Sequence, residues 1–357
     1  MMPSTQWFQK MARLLATLIC AVAGGWLASA VHMPLPWLLG AMVGVACISM
    51  AGYVHKQPVL ARKGAQIYIG STLGLFFTPV VTQQIVGLAP WMVVGAVTGI
   101  VMSAVSARAL QQLAGVDGPT AIYSVALGAS AEMSVQAQRA GADGAVVASA
   151  HAVRIMMVTF TATLIAWASG TPIANPFGNA VLLSLPMSAA LLLASMAVGR
   201  VFQQLKLPNP WVLGAILIGA LCASQDLAAR LPNEGLLAAQ LVIGWGLGQH
   251  INRAFFTRAP RTLTCVAVVT LGILAVCMGM AWVISMGAHL SVMTAFLSMA
   301  PGGMTEMSVI SKAFGLGAPV VTAFHMLRIL TTIFLTQPMA RAMLDRGWVT
   351  QDCAVDH

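Results

Sequence analysis

"ALGASAEMSVQAQRAGADGAVVASAHAVRIMMV" runs from Ala126 to Val158, and "APGGMTEMSVISKAFGLGAPVVTAFHMLRILTT" runs from Ala300 to Thr332. Each stretch has a Gly-rich entry, then Glu-Met-Ser-Val, then a His and an Arg at matching distances. Glu132, Met133 and Ser134 meet Glu306, Met307 and Ser308 at an offset of 174, and His151 and Arg154 meet His325 and Arg328 at the same offset. The offset holds without gaps elsewhere. "MPLPWLLGA" at 33–41 returns as "LPNPWVLGA" at 207–215, and Gln66, Gly70 and Gly74 return as Gln240, Gly244 and Gly248. One offset kept from Pro36 to Arg154 marks an internal duplication. The uncharged stretch "SGTPIANPFGNA" (169–180) reads as the link between the copies.

The surroundings of these charges decide the class. Of 357 residues, 59% are hydrophobic and only 8% charged, where a soluble domain is about a quarter charged. The chain contains many apolar runs of roughly 17–25 residues, the length of a membrane-crossing helix. The runs are continuous rather than alternating, which excludes a strand barrel. The expected fold is therefore an all-α integral membrane protein. The net charge of +9 comes from Lys and Arg scattered singly between apolar runs, a pattern of topology signals rather than of nucleic-acid binding. The six cysteines show no CxxC or metal spacing. Lys10, Arg13, an apolar run and Ala28-Ser29-Ala30 imitate a secretory signal, but an equivalent segment recurs in the second copy, so a retained first helix is expected.

Ten spans are expected, at about 12–31, 36–53, 65–82, 90–110, 145–168, 182–202, 209–225, 236–252, 263–286 and 319–340. Two further segments, 119–138 and 292–314, are interrupted near "GASAE" and "PGG". If these cross fully, Lys and Arg fall almost equally on both sides. If they enter and return, fourteen lie inside and two outside (Arg230 and Lys312), with Arg154 and Arg328 within spans. The positive-inside bias selects the second arrangement. Five crossings per copy then orient the copies oppositely. The loops agree: Lys56, Arg62 and Lys63 in the first copy face a loop with only Arg230, while Arg253, Arg258 and Arg261 of the second face an uncharged 80–90. The expected division is a first repeat at 1–168, a linker at 169–181, a second repeat at 182–342 and a cytoplasmic tail at 343–357, with both termini cytoplasmic and the chain multi-pass in the inner (plasma) membrane.

The candidate site follows from cost. An ionised side chain at the bilayer centre costs roughly 2.5–3.5 kcal/mol on insertion scales, so Glu132, Glu306, Arg154 and Arg328 must be paired, neutralised or in a wet cavity. His and Arg three apart share a helix face. Gly-rich entries suggest broken helices, tolerated at membrane depth where they line a cavity or lie in protein. Discontinuous segments at the interface of inverted repeats are where secondary transporters bind substrate. The candidate substrate- and ion-binding residues are Glu132, Glu306, Arg154, Arg328, His151, His325, Ser134, Ser308, Gly302, Gly303, Gln66 and Gln240. The competing reading makes each Glu a buried ion pair that fixes packing. No metal ligand set and no cofactor are expected. The "PW(L/V)LGA" openings read as structural, with Pro starting a helix and Trp at the interface.

The two "PW(L/V)LGA" openings and the two Gly-rich "EM…H..R" blocks resemble the AbrB-type membrane protein family, over about 12–342. Members carry an internal duplication of this size, and labels of an ammonia monooxygenase or a regulator of gene expression. The family's "PGG" stands here only in the second copy; the first has Leu127-Gly128-Ala129. The expected function is a secondary transporter or exporter of a small solute, coupled to a proton or Na⁺, with the lipid bilayer as its other partner; homo-oligomerisation stays open. An indirect effect on gene expression and a small-molecule channel are the alternatives. An ammonia-oxidising enzyme needs clustered metal ligands, and the membrane region offers no HxH or HxxxH. With no soluble domain and no basic stripe, nucleic acid is not an expected partner.

Overall fold

The computed structural model describes residues 4–128, 130–170, 181–224, 229–251 and 260–350, with the backbone alone for residues 4–6, 130–132 and 135. The helices are α1 (Ser4–Ala30), α2 (Pro36–Met50), α3 (Val59–Gly74), α4 (Pro79–Gly87), α5 (Ala89–Ala114), α6 (Gly118–Val125), α7 (Ser130–Arg139) and α8 (Gly144–Ala168). The second copy supplies α9 (Leu185–Gln204), α10 (Pro210–Ala223), α11 (Asn233–Gly248), α12 (Pro260–Ala288), α13 (Val292–Met299), α14 (Met304–Ala313) and α15 (Ala318–Asp345). Two short strands, β1 (Val181–Leu182) and β2 (Ala229–Arg230), pair in parallel. The expected linker at 169–181 lies mostly outside the described residues.

Among the described residues six helices are long and apolar enough to cross a membrane: α1, α5, α8, α9, α12 and α15. The count reaches seven if α3 and α4 form one broken span. The remaining expected spans fall on helices that are shorter or interrupted. The expected span at 65–82 is interrupted between Gly74 and Pro79. The segments expected at 36–53, 209–225 and 236–252 are helices of 15, 14 and 16 residues. At 1.5 Å per residue such helices rise roughly 21–24 Å, short of the ~30 Å hydrocarbon layer. The hydropathy windows ran past the ends of these helices into the turns that follow.

The chain forms two compact units, Met1–Pro79 with Thr163–Arg258, and Val80–Ala162 with Ala259–His357. Each unit draws on both sequence copies, so compact unit and repeat do not coincide.

The first unit holds α1–α3 and α9–α11. Its packing explains the repeated glycines. A Cβ on Gly70 or Gly74 of α3 would fall on the carbonyl oxygens of Val212 and Ile216 in α10. A Cβ on Gly244 or Gly248 of α11 would fall on those of Leu38 and Met42 in α2. These partners are also 174 apart, so the duplicated sequence makes duplicated contacts. Small residues permit such backbone approach between apolar helices, where dispersion rather than hydrophobicity holds the pair. The "PW" openings start α2 and α10, each preceded by a left-handed residue, Leu35 (φ 49°) or Asn209 (φ 45°), with Pro at the first helical position. Gln66 (half-buried) and Gln240 (buried) both belong to this unit.

The second unit holds nearly all of α4, α5–α7, most of α8, and α12–α15. Both interrupted segments are broken helices: α6 stops at Val125 and α7 starts at Ser130; α13 stops at Met299 and α14 starts at Met304. Each first limb is capped at its start by a side chain. Asp117 accepts from the Thr120 N–H (2.9 Å), and Ser291 accepts from the Thr294 N–H (3.1 Å). Tyr123, Ala126, Met133, Ala137, Ala142 and Val147 form a buried apolar cluster around the first break. The expected tail begins inside α15, and its residues as far as Thr350 fold back on the unit. Gln111 Nε2 donates to the Thr350 carbonyl (2.8 Å), the Thr350 N–H donates to Gln111 Oε1 (3.1 Å), and the Gly118 N–H donates to the same Thr350 carbonyl (3.0 Å).

Candidate functional site

A helix that stops inside the buried protein leaves its last carbonyls without N–H partners. Both breaks solve this in the same way. His151 Nε2 donates to the Tyr123 carbonyl (2.9 Å), and Arg154 Nη1 donates to the carbonyls of Val125 (3.1 Å) and Ala126 (2.9 Å). In the second copy His325 Nε2 donates to the Leu297 carbonyl (2.9 Å), and Arg328 Nη1 donates to those of Met299 (3.3 Å) and Ala300 (2.7 Å). Every atom pair repeats at the 174 offset. The guanidinium charge sits at the negative end of the half-helix, where the macrodipole favours it.

The two rings are fixed as well. Nη2 of Arg154 donates to His151 Nδ1 (2.9 Å), and Nη2 of Arg328 donates to His325 Nδ1 (2.8 Å). A carbonyl can only accept and an arginine can only donate. Each imidazole therefore carries its hydrogen on Nε2 and is neutral. His151, Arg154, His325 and Arg328 are all buried, at 1%, 3%, 0% and 5% exposure. These four candidates are joined, two by two, into caps for the broken helices.

The copies then diverge. Arg328 Nη2 also donates to the Gly302 carbonyl (3.1 Å), gripping the loop after α13. The Nε of Arg154 and of Arg328 is buried with no hydrogen-bond partner. Ser308 and Thr322 share a hydrogen bond (2.8 Å) that ties α14 to α15; position 148, which matches Thr322, is Ala. Ser134 on α7 is half-buried. The Glu132 side chain lies outside the described residues, although its backbone is in α7. Glu306 is described. It is the third residue of α14, and its carboxylate folds back over Gly303, the N-cap residue, where a Cβ would collide with it. That is the posture of the acidic residue in a capping box.

The loops of the two copies come together in this unit. A Cβ on Gly128 would sit 3.1 Å from Thr332 Cγ2, one turn beyond Arg328 on α15. A Cβ on Gly99 of α5 would sit 3.6 Å from Arg328 Cδ and 3.8 Å from Leu127 Cδ1. Arg154 and Arg328 are near enough to act on each other electrostatically.

Sequence reasoning missed three participants. Lys312, expected in an outside loop, is buried in the last turn of α14. Ser103 on α5 accepts from the Leu127 N–H (3.2 Å), and Cys277 on α12, again 174 later, donates its S–H to the Met299 carbonyl (3.3 Å). The offset alone could have paired Ser103 with Cys277. Among the described residues no three of His, Cys, Asp and Glu group as metal ligands.

The family model described as "Transition state regulatory protein AbrB" matches residues 37–344. The protein "Putative regulator AbrB" of Escherichia coli (strain K12) is 29% identical over 341 residues, covering 94% of this chain and 96% of its own length. "Uncharacterized protein YhjN" of Bacillus subtilis (strain 168) is 23% identical over 355 residues, covering 90% of this chain and 91% of its own.

Proposed function

This chain belongs to the AbrB family, and from that premise we propose that it is a secondary carrier for a small solute, with its site where the two broken helices of the second compact unit come together. One observation carries the reading: two half-helices, related by a duplication, end in the same compact unit with their carbonyls capped by buried His–Arg pairs. Broken helices at membrane depth are costly to arrange, and in carriers they supply backbone groups and dipole ends to substrates and ions. The swapped charges of corresponding loops support opposite orientation of the copies. In this reading the glutamates of the broken segments bind the coupling proton or sodium ion, and the His–Arg caps hold the half-helices in place. A regulatory effect such as the name of the Escherichia coli relative implies would follow indirectly, from the solute moved.

Purified protein in liposomes, screened for solute-dependent proton and sodium flux, tests this. The wild type should show coupled flux with at least one solute. Glu132→Gln and Glu306→Gln keep shape and most hydrogen bonding but cannot ionise, so each should insert normally and lose coupling. Unchanged coupled flux in both single variants and the double variant would make the carboxylates structural and end the proposal.

A further inference from the structure

We propose that one end of the first compact unit is a binding surface for the headgroups of anionic phospholipids. Three stretches of chain bring cations there: Lys10 and Arg13 on α1, Lys56 with Arg62 and Lys63 around the start of α3, and Lys206 in the turn after α9. Their contacts place them together. The Arg13 guanidinium stands over the Tyr53 ring at 5.4 Å, and the Lys63 ammonium stands over the ring of Trp211, in the first turn of α10, at 4.6 Å. The His55 N–H donates to Thr17 Oγ1 (2.9 Å), the Gln57 N–H donates to Gln249 Oε1 (2.7 Å), and Trp245 Nε1 donates to the His55 carbonyl (3.0 Å). The loop before α3 is thereby tied to α1 and to the C-terminal end of α11. Five of the six cations are exposed, and Lys63 is half-buried.

The unit's own acids do not offset this charge. Its sequence contains two, Asp226, outside the described residues, and Glu234. Glu234 opens α11, whose length of about 24 Å separates it from the end where Gln249 lies. The duplicated frame does not need the cations either. At the 174 offset Lys10, Arg13, Arg62, Lys63 and Lys206 meet Ser184, Met187, Leu236, Leu237 and His32, and only Lys56 meets another cation, Arg230. The glycine contacts are nevertheless the same in both copies. Packing holds without these charges, so their complement lies outside the fold. The positive-inside bias sets which way a chain inserts; a lipid surface is a property of the folded protein, and the purified chain tells the two apart.

Apolar side chains identify the partner. Trp7 and Phe8 stand one turn before Lys10, Tyr53 lies under Arg13, Leu60 adjoins the α3 cations and Leu205 precedes Lys206; all five are exposed. A water-soluble polyanion would leave them wet. At a bilayer boundary they enter the acyl region while Lys and Arg reach the phosphates. The second unit is built differently. Arg108 and Arg261 are turned onto the carbonyls of Trp348 and Leu113 (both 3.1 Å), and Arg341 has Asp345 one helical turn on.

The test follows thermal unfolding of the detergent-purified full chain while phosphatidylglycerol or phosphatidylcholine is titrated into the micelles, with inorganic phosphate and polyglutamate as soluble anions. Phosphatidylglycerol should stabilise the wild type at far lower mole fraction than phosphatidylcholine, and the preference should shrink at high salt. A cation near an anionic surface is worth about fivefold in binding, so Lys56→Gln, Arg62→Gln and Lys206→Gln combined should weaken phosphatidylglycerol binding about a hundredfold. Arg139→Gln, Arg341→Gln and Arg346→Gln combined remove the same charge from the second unit and should leave the preference in place. Equal stabilisation by the two lipids overturns the proposal, as does equal loss in the two triple variants, which would report net charge alone. Inorganic phosphate or polyglutamate acting as well as the lipid assigns the surface to a soluble anion and overturns it too. If the first triple variant does not purify as a monodisperse protein, Lys206→Gln alone should weaken phosphatidylglycerol binding about fivefold, and wild-type binding there overturns the proposal equally. Lipid preference is read without any solute, so this surface and the carrier reading stand or fall separately.

Discussion

Arg328 makes four hydrogen bonds from a buried position, three of them to the carbonyls of Met299, Ala300 and Gly302. Among the described residues Arg154 makes three, two of them to carbonyls. Truncating either residue strands buried acceptors, and breaking a buried charged network from one side costs about 3–5 kcal/mol. Arg328→Ala should therefore lower the thermal midpoint in detergent more than Arg154→Ala does. Arg→Lys should fall between Ala and wild type, since an ammonium can serve some of the carbonyls. Equal loss for the two alanine variants would mean that the Gly302 bond contributes nothing. The spacing of His and Arg was readable in the sequence and put both on one face. Their partners were not, because those are backbone carbonyls 28 residues upstream, and a carbonyl has no letter in the sequence. Ser103 and Cys277 stayed hidden for another reason. They hold equivalent points with different chemistry, one accepting and the other donating.

At the scale of elements, apolar runs located the helices, including both breaks, to within a few residues in most cases. They overestimated the lengths of the short helices by a few residues, because a hydropathy window runs on past a helix end into the turn that follows. The glycines have a cause that pattern alone did not reveal. A Cβ on Gly244 would strike the Leu38 carbonyl, whereas one on Gly272 of α12 meets nothing within 4 Å. Overpacking costs about 1–3 kcal/mol, while Ala in place of Gly favours a helix by about 1 kcal/mol. Gly244→Ala should destabilise the purified protein, and Gly272→Ala should leave it unchanged or slightly stabler. If both variants unfold at the wild-type temperature, the close approach of α11 to α2 is not what holds that pair.

For the whole molecule, the duplication is visible three times: in the sequence, in the glycine contacts of the first unit, and in the His–Arg caps of the second. The compact units nevertheless exchange parts of the copies. No local pattern could show this, since it depends on which helix faces pack together. What the carrier reading requires above all is that the copies run in opposite directions through the membrane. The distribution of Lys and Arg argues for it. Reporter fusions test it residue by residue: after residues 58, 206 and 257 the reporter should read cytoplasmic, and after residue 85 external. The decisive fusion is at residue 175, in the link between the copies. If the shorter α2 and α3 cross along with α1, α5 and α8, five crossings precede it and place the reporter outside, so that the second copy enters from the opposite face. A cytoplasmic reading at 175 would give both copies the same direction and contradict the account.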